Sequence, residues 1–571
     1  MLGLLWIVIL LVTGYLLTFF FFKKQDFLER VVCGIGLSIF ILIASGFLLN
    51  FFTITGFSVR LTLIITLVLT ILLLIFTKRY RFIQIPKIEP KKLVLLFGCA
   101  VLVAIIIYAP HFTSKYPVHF DEYWYLNFAH KVIETGHLCT NPYDGSYRCD
   151  AKTGFTALLA NIFLLSNMDP LLDLQFLPAV FGVITALVIF IFIYELTKSF
   201  WTGLLAMILY STLKGNILVL GTALAAPFPM SMSLAFLFLY LWYKWINERS
   251  LNYILLAIII LFITFTIHAS AAAWMLVIAM LYSAWHLEKR WKILLPFFLP
   301  VVGISAVLFF IWFWEGSLKS TILGNIWRIQ MVTTYITYPY SHLIGIPLMI
   351  FVILGLYATI RTKHQRILAL FLIVTSIYYF IASRLTYFSY FIRTPRLLYI
   401  ACVAAVLVGS IGIHFFLTVL KEKVKQRQIL FLVAAITLVF VFYFQFKAYN
   451  LLGFEHIVSD DITYVVNDQE YQTLQFLSER YSGKKIFASP LFSMAIPITN
   501  NTVAIHWRWP DLVEADKATK LFKSPSCEEG LAWVNLLKPD VVVSRKPFPC
   551  DFLNEVNNKT GYFIYEAKIE K

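Results

Sequence analysis

Apolar positions in this chain come in long unbroken runs, and the polar positions between them are mostly short and basic. The runs fall at 4–22, 31–52, 61–76, 93–108, 175–194, 201–221, 228–245, 253–267, 270–285, 294–314, 343–360, 367–383, 395–417 and 429–446. Each is about long enough to cross the hydrocarbon core of a bilayer as a helix, where only a helix or a closed barrel satisfies the backbone. The pattern predicts about fourteen membrane spans. The first has no small-residue cleavage site and reads as an anchor, not a signal peptide. After Tyr449 the pattern changes. A helical period covers 468–481, with Leu474, Phe476, Leu477 and Tyr481 apolar, and a second helix covers 528–537. Short strand-like runs stand at 484–489, 502–507, 540–545 and 562–567, so this tail reads as a small soluble α/β domain. The expected fold is a polytopic α-helical membrane protein with a small extracytoplasmic α/β domain at its C-terminal end.

Composition agrees: 60% of the residues are hydrophobic and 14% charged. The basic positions orient the chain. Lys23–Lys24, 78–92, Lys198, 244–249, 288–292, 361–366 and 421–427 all land on one side if every span crosses once, and by the positive-inside rule that side is the cytoplasm. Both termini, the loop after 108 and the tail then lie outside. These loops account for most of the net charge of +16, so no nucleic-acid partner is needed to explain it. Cys139 and Cys149 share the first external loop, Cys527 and Cys550 share the tail, and Cys33, Cys99 and Cys402 fall in spans. Two external pairs fit an oxidising exterior, although spacing alone fixes no connectivity. No CxxC or Cys/His cluster suggests zinc, and the tail has no Gly-rich phosphate loop. Asn500 and Asn558 open N-x-T sequons.

The chemistry is sought at the outer membrane face. The segment HFDEYWYLNFAHKVIETG (119–136) carries an adjacent acidic pair, Asp121 and Glu122, at the mouth of a membrane helix, where desolvating a carboxylate is costly. Tyr125, Phe128, Ala129, Val132 and Ile133 follow at helical spacing, with Asn127, His130, Lys131 and Glu134 elsewhere and Gly136 as a stop. The prediction is an amphipathic helix lying in the membrane interface, with the pair at its N-terminus. Capping of that N-terminus is the structural alternative for Asp121.

This layout resembles the C-type membrane glycosyltransferases (GT-C fold), especially the branch of the protein O-mannosyltransferases and lipid A aminoarabinose transferases. The matching features are Asp121, Glu122, the following YWYLNFAHKVIETG and the pattern of 154–200. The resemblance covers 93–449, including an external acidic loop at 111–174; the helices and basic loop of 1–92 lie outside it, as does the soluble domain, 450–571. It implies transfer of a sugar from a polyprenyl phosphate to a protein, lipid or glycan acceptor outside the cytoplasm, usually with inversion. Asp121 matches the family's base, and Glu122 would position it or the acceptor. A lipid phosphate leaving group needs positive charge, best supplied by arginine. Candidates are Arg384, Arg393 and Arg396 in 383–400, with Lys214 either meeting phosphate or snorkelling to the interface. His268 is a candidate donor or acceptor contact, or a helix-end histidine satisfied by its neighbours. Trp327 and Arg328 are candidate acceptor contacts, and His119 is placed to tune Asp121. Relatives often carry an acidic or Glu–Arg element where this chain has Pro227 and Pro229. No second carboxylate, metal or cofactor is therefore indicated. A transporter or flippase of lipid-linked glycans is the alternative, but the chain shows neither an internal repeat nor buried acidic pairs near the midplane. A non-catalytic scaffold for the tail would leave the acidic pair unexplained.

Overall fold

The computed structural model describes residues 2–22, 25–50, 53–82, 89–113, 115–147, 152–213, 222–287, 344–384, 394–424, 426–448, 466–506, 512–558 and 560–568. The apolar runs form helices, because a segment that meets only apolar surroundings must hydrogen-bond its own backbone. They are α1 (Leu2–Phe21), α2 (Phe27–Leu49), α3 (Gly56–Phe76), α4 (Pro90–Tyr108), α5 (Phe120–Thr135), α6 (Thr153–Ser166), α7 (Pro170–Asp173), α8 (Leu177–Thr197), α9 (Phe200–Ser211), α10 (Pro227–Glu248), α11 (Leu251–Leu287), α12 (Ile346–Arg361), α13 (Arg366–Arg384), α14 (Thr394–Lys423) and α15 (Arg427–Ala448). Among the described residues eight helices are long and apolar enough to cross a membrane, with shorter apolar helices at 153–166, 200–211, 346–361 and 431–445. The chain is a multi-pass membrane protein. The span expected at 294–314 lies outside the described residues, and α6 was not among the expected spans.

α10 is the axis of the bundle: every side chain from Pro227 to Ile246 is buried. α11 has non-helical backbone at His268 (φ −155°, ψ 90°). The His268 ring lies 5.2 Å from Phe228, at the start of α10. Both ends of α11 lie at the finish of α10. Tyr282 lies 6.3 Å from Tyr243, Trp242 Nε1 donates to Ser283 Oγ at 2.8 Å, and Lys244 Nζ lies 5.6 Å from the Tyr253 ring. The chain therefore reverses at His268, and the two limbs correspond to the runs expected at 253–267 and 270–285. Below, the end of the bundle at the start of α10 is called the head and the opposite end the foot.

α1 and α2 are joined to this core. At the foot Glu29 is buried and accepts hydrogen bonds from Tyr240 Oη at 2.7 Å and Tyr253 Oη at 3.2 Å. Lys244 pairs there with Glu248 and, at 3.6 Å, with Glu195.

The C-terminal domain has helices α16 (Asp468–Arg480), α17 (Leu512–Lys523) and α18 (Cys527–Leu537) and strands β1 (Lys485–Ala488), β2 (Thr502–Val503), β3 (Val541–Ser544), β4 (Leu553–Asn557) and β5 (Phe563–Ala567). The sheet order is β2-β1-β3-β5-β4, parallel across β2, β1 and β3 and antiparallel across β3, β5 and β4. The fully buried run VVVS forms β3, the central strand, from the strand-like run at 540–545. Polar β4 was missed because an edge strand needs no apolar pattern. Cys527 and Cys550 form a disulfide. Cys139 is also disulfide-bonded, and Cys149 lies outside the described residues.

Candidate active site

α5 begins and ends where its sequence says. Gly136 closes it in the left-handed conformation (φ 75°), which a residue without Cβ adopts at little cost. Its start divides the acidic pair into two roles. His119 is the N-cap, its Nδ1 accepting the Asp121 N–H at 3.2 Å. Glu122 completes the capping box: one carboxylate oxygen accepts the N–H groups of Val118 at 2.9 Å and His119 at 3.0 Å. Its other oxygen accepts the N–H of Ala225 at 2.8 Å, on the strap leading into α10. The capping that was the structural alternative for Asp121 is thus performed by Glu122 and His119. Glu122 is only 1% exposed, and burial pushes its carboxyl up to about 7 against the pull of those three N–H donors. The Asp121 side chain is 13% exposed, with Oδ2 4.0 Å from His119 Nδ1.

The strap 222–226 is held from a second direction: His111 Nε2 donates to Ala223 O at 2.7 Å. Phe228, at the start of α10, is the next contact. Its ring carries the Arg396 guanidinium, with Cζ 5.6 Å from the centroid, and lies edge-on to His268. Arg396 Nη1 lies 3.0 Å from His268 Nε2. A guanidinium only donates, so the contact runs from Arg396 to Nε2, while Nδ1 accepts the Ala271 N–H at 3.2 Å and lies 3.2 Å from Ser270 Oγ. Four chain segments distant in sequence therefore meet at the head: α5 with the acidic pair, the 222–228 strap, the break in α11 and the start of α14.

Of the residues singled out by sequence, Asp121, Glu122 and His119 form one group, and His268 and Arg396 form another, bridged by the strap and Phe228. Arg384 is the last residue of α13, and its side chain lies outside the described set. Lys214, Trp327, Arg328 and Arg393 lie outside the described residues altogether. Sequence reasoning missed His111, Ala225 and Phe228; only the prolines at 227 and 229 signalled an unusual helix start. The apolar face of α5, expected as an amphipathic interface helix, packs on α6, and its polar residues Asn127 and His130 are covered by the C-terminal domain. Asn500, the first sequon asparagine, is half-buried and accepts from His130 Nε2 at 3.0 Å; Asn558 is exposed.

No family model matches the chain, and no curated protein does. Solved structures of like fold are found. An arabinofuranosyltransferase, AftD from Mycobacteria, aligns with a TM-score of 0.50 at 11% identity over 83% of this chain and 40% of its own. This chain thus spans well under half the length of that protein. ArnT from Cupriavidus metallidurans aligns at a TM-score of 0.46 over 84% of this chain and 98% of its own, both bound to undecaprenyl phosphate, at 11% identity, and in the apo state, at 12%. The fold is the GT-C fold expected from the acidic loop and its interface helix.

Proposed function

We propose that this chain is a membrane glycosyltransferase that moves a sugar from a polyprenyl phosphate to a protein, lipid or glycan acceptor at the extracytoplasmic face. The observation that carries the reading is that one strap at the head of α10 holds both groups, the acidic pair through Ala225 and the Arg396–His268 pair through Phe228, on a GT-C scaffold. Asp121 is the general base. It takes the proton of the acceptor hydroxyl as that oxygen attacks the anomeric carbon from the side opposite the phosphate. The bond from that carbon to the phosphate oxygen breaks, and the electron pair leaves on the lipid phosphate, inverting the sugar. Arg396 meets the developing charge through its fixed fork of donors. His268 accepts from Arg396 and so orients it. Arg384, Arg393 and Lys214 are further cations for the phosphate, and Trp327 and Arg328 are acceptor contacts.

The Cys527–Cys550 bond supports the outward placement of the C-terminal domain, because disulfides persist in oxidising compartments. The test is a transfer assay in membrane vesicles with a panel of radiolabelled polyprenyl-phosphate pentoses and hexoses. Label should move from the lipid to a second molecule with the wild type and not with Asp121→Asn. Equal transfer by Asp121→Asn would remove the base. Movement of intact lipid-linked glycan across the bilayer, with no transfer, would make the chain a flippase.

A further inference from the structure

The C-terminal domain is seated on α5. Asn127, 1% exposed, donates to Met494 O and, at 3.0 Å, to Tyr143 Oη. His130 donates to Asn500, and the N–H of Val503 in β2 donates to Tyr143 O at 3.0 Å. The rings of Trp124 and Tyr143 stack on each other, and His506 lies tilted against both, 4.4 Å from Tyr143. At the near end Tyr116 Oη donates to Asp468 at 2.9 Å.

Met494, Val503 and His506 lie at or beyond the carboxyl ends of β1 and β2. That is the side on which open α/β sheets ordinarily bind ligands. Here Asn127 of α5 and Tyr143 of the loop after it occupy that side. The far end of α5 is also fixed, because Asn50, after α2, accepts the Leu138 N–H at 2.8 Å. Any Cβ at Gly136 would come within 2.5 Å of Ile54 N. α5 is therefore held by the strap at Glu122, by the C-terminal domain along its middle and by the α2–α3 loop at its end. Asp121 lies less than two turns from Asn127 on a single rigid helix.

We propose that the C-terminal domain is a positioning element for the transfer reaction, with Asn127 and His130 setting the placement of Asp121 through α5. This rests on the glycosyltransferase reading above. A buried amide surrounded by apolar side chains contributes orientation at a cost in desolvation, and its replacement by an apolar isostere keeps the packing while removing the register. Displacing a reacting group by about 1 Å costs on the order of 10²-fold in rate.

The test uses the full chain in lipid nanodiscs with the donor panel, comparing wild type, Asn127→Leu and His130→Ala. Hydrogen exchange is followed at the α5 amides. Asn127→Leu should lower kcat about 10- to 100-fold with the donor KM within about twofold, and should speed exchange in α5 but not in α6. His130→Ala should do the same to a smaller degree. Unchanged kcat in both folded variants would overturn the proposal. So would a raised donor KM at unchanged kcat, which would make the domain a binding surface. If the wild type transfers no sugar, the glycosyltransferase reading fails and takes the positioning role with it, whereas exchange still reports whether the domain holds α5.

Discussion

The two ends of α10 handle charge in different ways. At the foot, side chains neutralise side chains: Lys244 meets Glu195 and Glu248, and Glu29 accepts from two tyrosines. At the head, Glu122 directs both carboxylate oxygens to backbone N–H groups, and Arg396 is set against an imidazole and a phenyl ring. The foot arrangement ties α2, α8, α10 and α11 together. The head arrangement shapes backbone and orients a cation at the same end of α10 as a carboxylate that stands outside the capping box. Charges paired with each other stabilise helix packing, and charges placed on backbone and rings build a site.

The sharpest way to break this contrast is at Asp121. Asp121→Asn should keep the fold and lower transfer by about 10²–10⁴-fold, read from initial rates, because that is the typical loss for a general base. An equal loss of folded protein would reduce Asp121 to a structural residue. Glu122→Gln should cost less, about 10- to 100-fold, by turning one acceptor into a donor that faces an N–H. Its pH dependence is distinctive. Glu122 titrates at about 7 in the folded chain against an ordinary 4.5, so the folded state holds a proton that the unfolded state has lost. The stability from this group is present at low pH and is lost as pH rises through about 7. Activity runs the opposite way, since only the carboxylate accepts all three N–H bonds. Transfer by the wild type should rise across that window, and Glu122→Gln should flatten the rise.

Arg396→Ala should raise the donor KM about tenfold, and Arg396→Lys should recover only part of it, because a point charge lacks the bidentate fork. Thermal unfolding should barely move. The smallest effect on activity belongs to the foot. Lys244→Met should destabilise by about 1.5–3 kcal/mol, the usual loss of a charge-assisted hydrogen bond, since its partners Glu248 and Glu195 stay partly solvated, while kcat per folded molecule stays unchanged. A foot variant that lost activity at full stability would erase the distinction between the two ends.

Much of this was legible in the sequence where the cause is local. The apolar runs forecast the helices, the gap between 267 and 270 forecast the reversal at His268, and Gly136 forecast the end of α5. The run at 540–545 forecast a strand, and Cys527 with Cys550 in one external tail offered the pair that forms a disulfide. The role of Glu122 was not legible, because its decisive partner, Ala225, is 103 positions away and contributes only a backbone N–H. Nor was the burial of Asn127 and His130. A polar residue on a helix looks the same in sequence whether it meets water or a second domain, and helical periodicity reports only that the face is polar.

The central claim is that the head of α10 is the substrate end. It is tested most directly by a polyprenyl phosphate bearing a photoreactive group beside its phosphate, bound to the full chain in nanodiscs and mapped by mass spectrometry after illumination. Label on the peptides carrying 222–228, His268 and Arg396, displaced by unlabelled polyprenyl phosphate, is the predicted result. Label concentrated at the foot, around Glu29, Lys244 and Glu248, or spread evenly along the lipid-facing surfaces of α3 and α4, would contradict it.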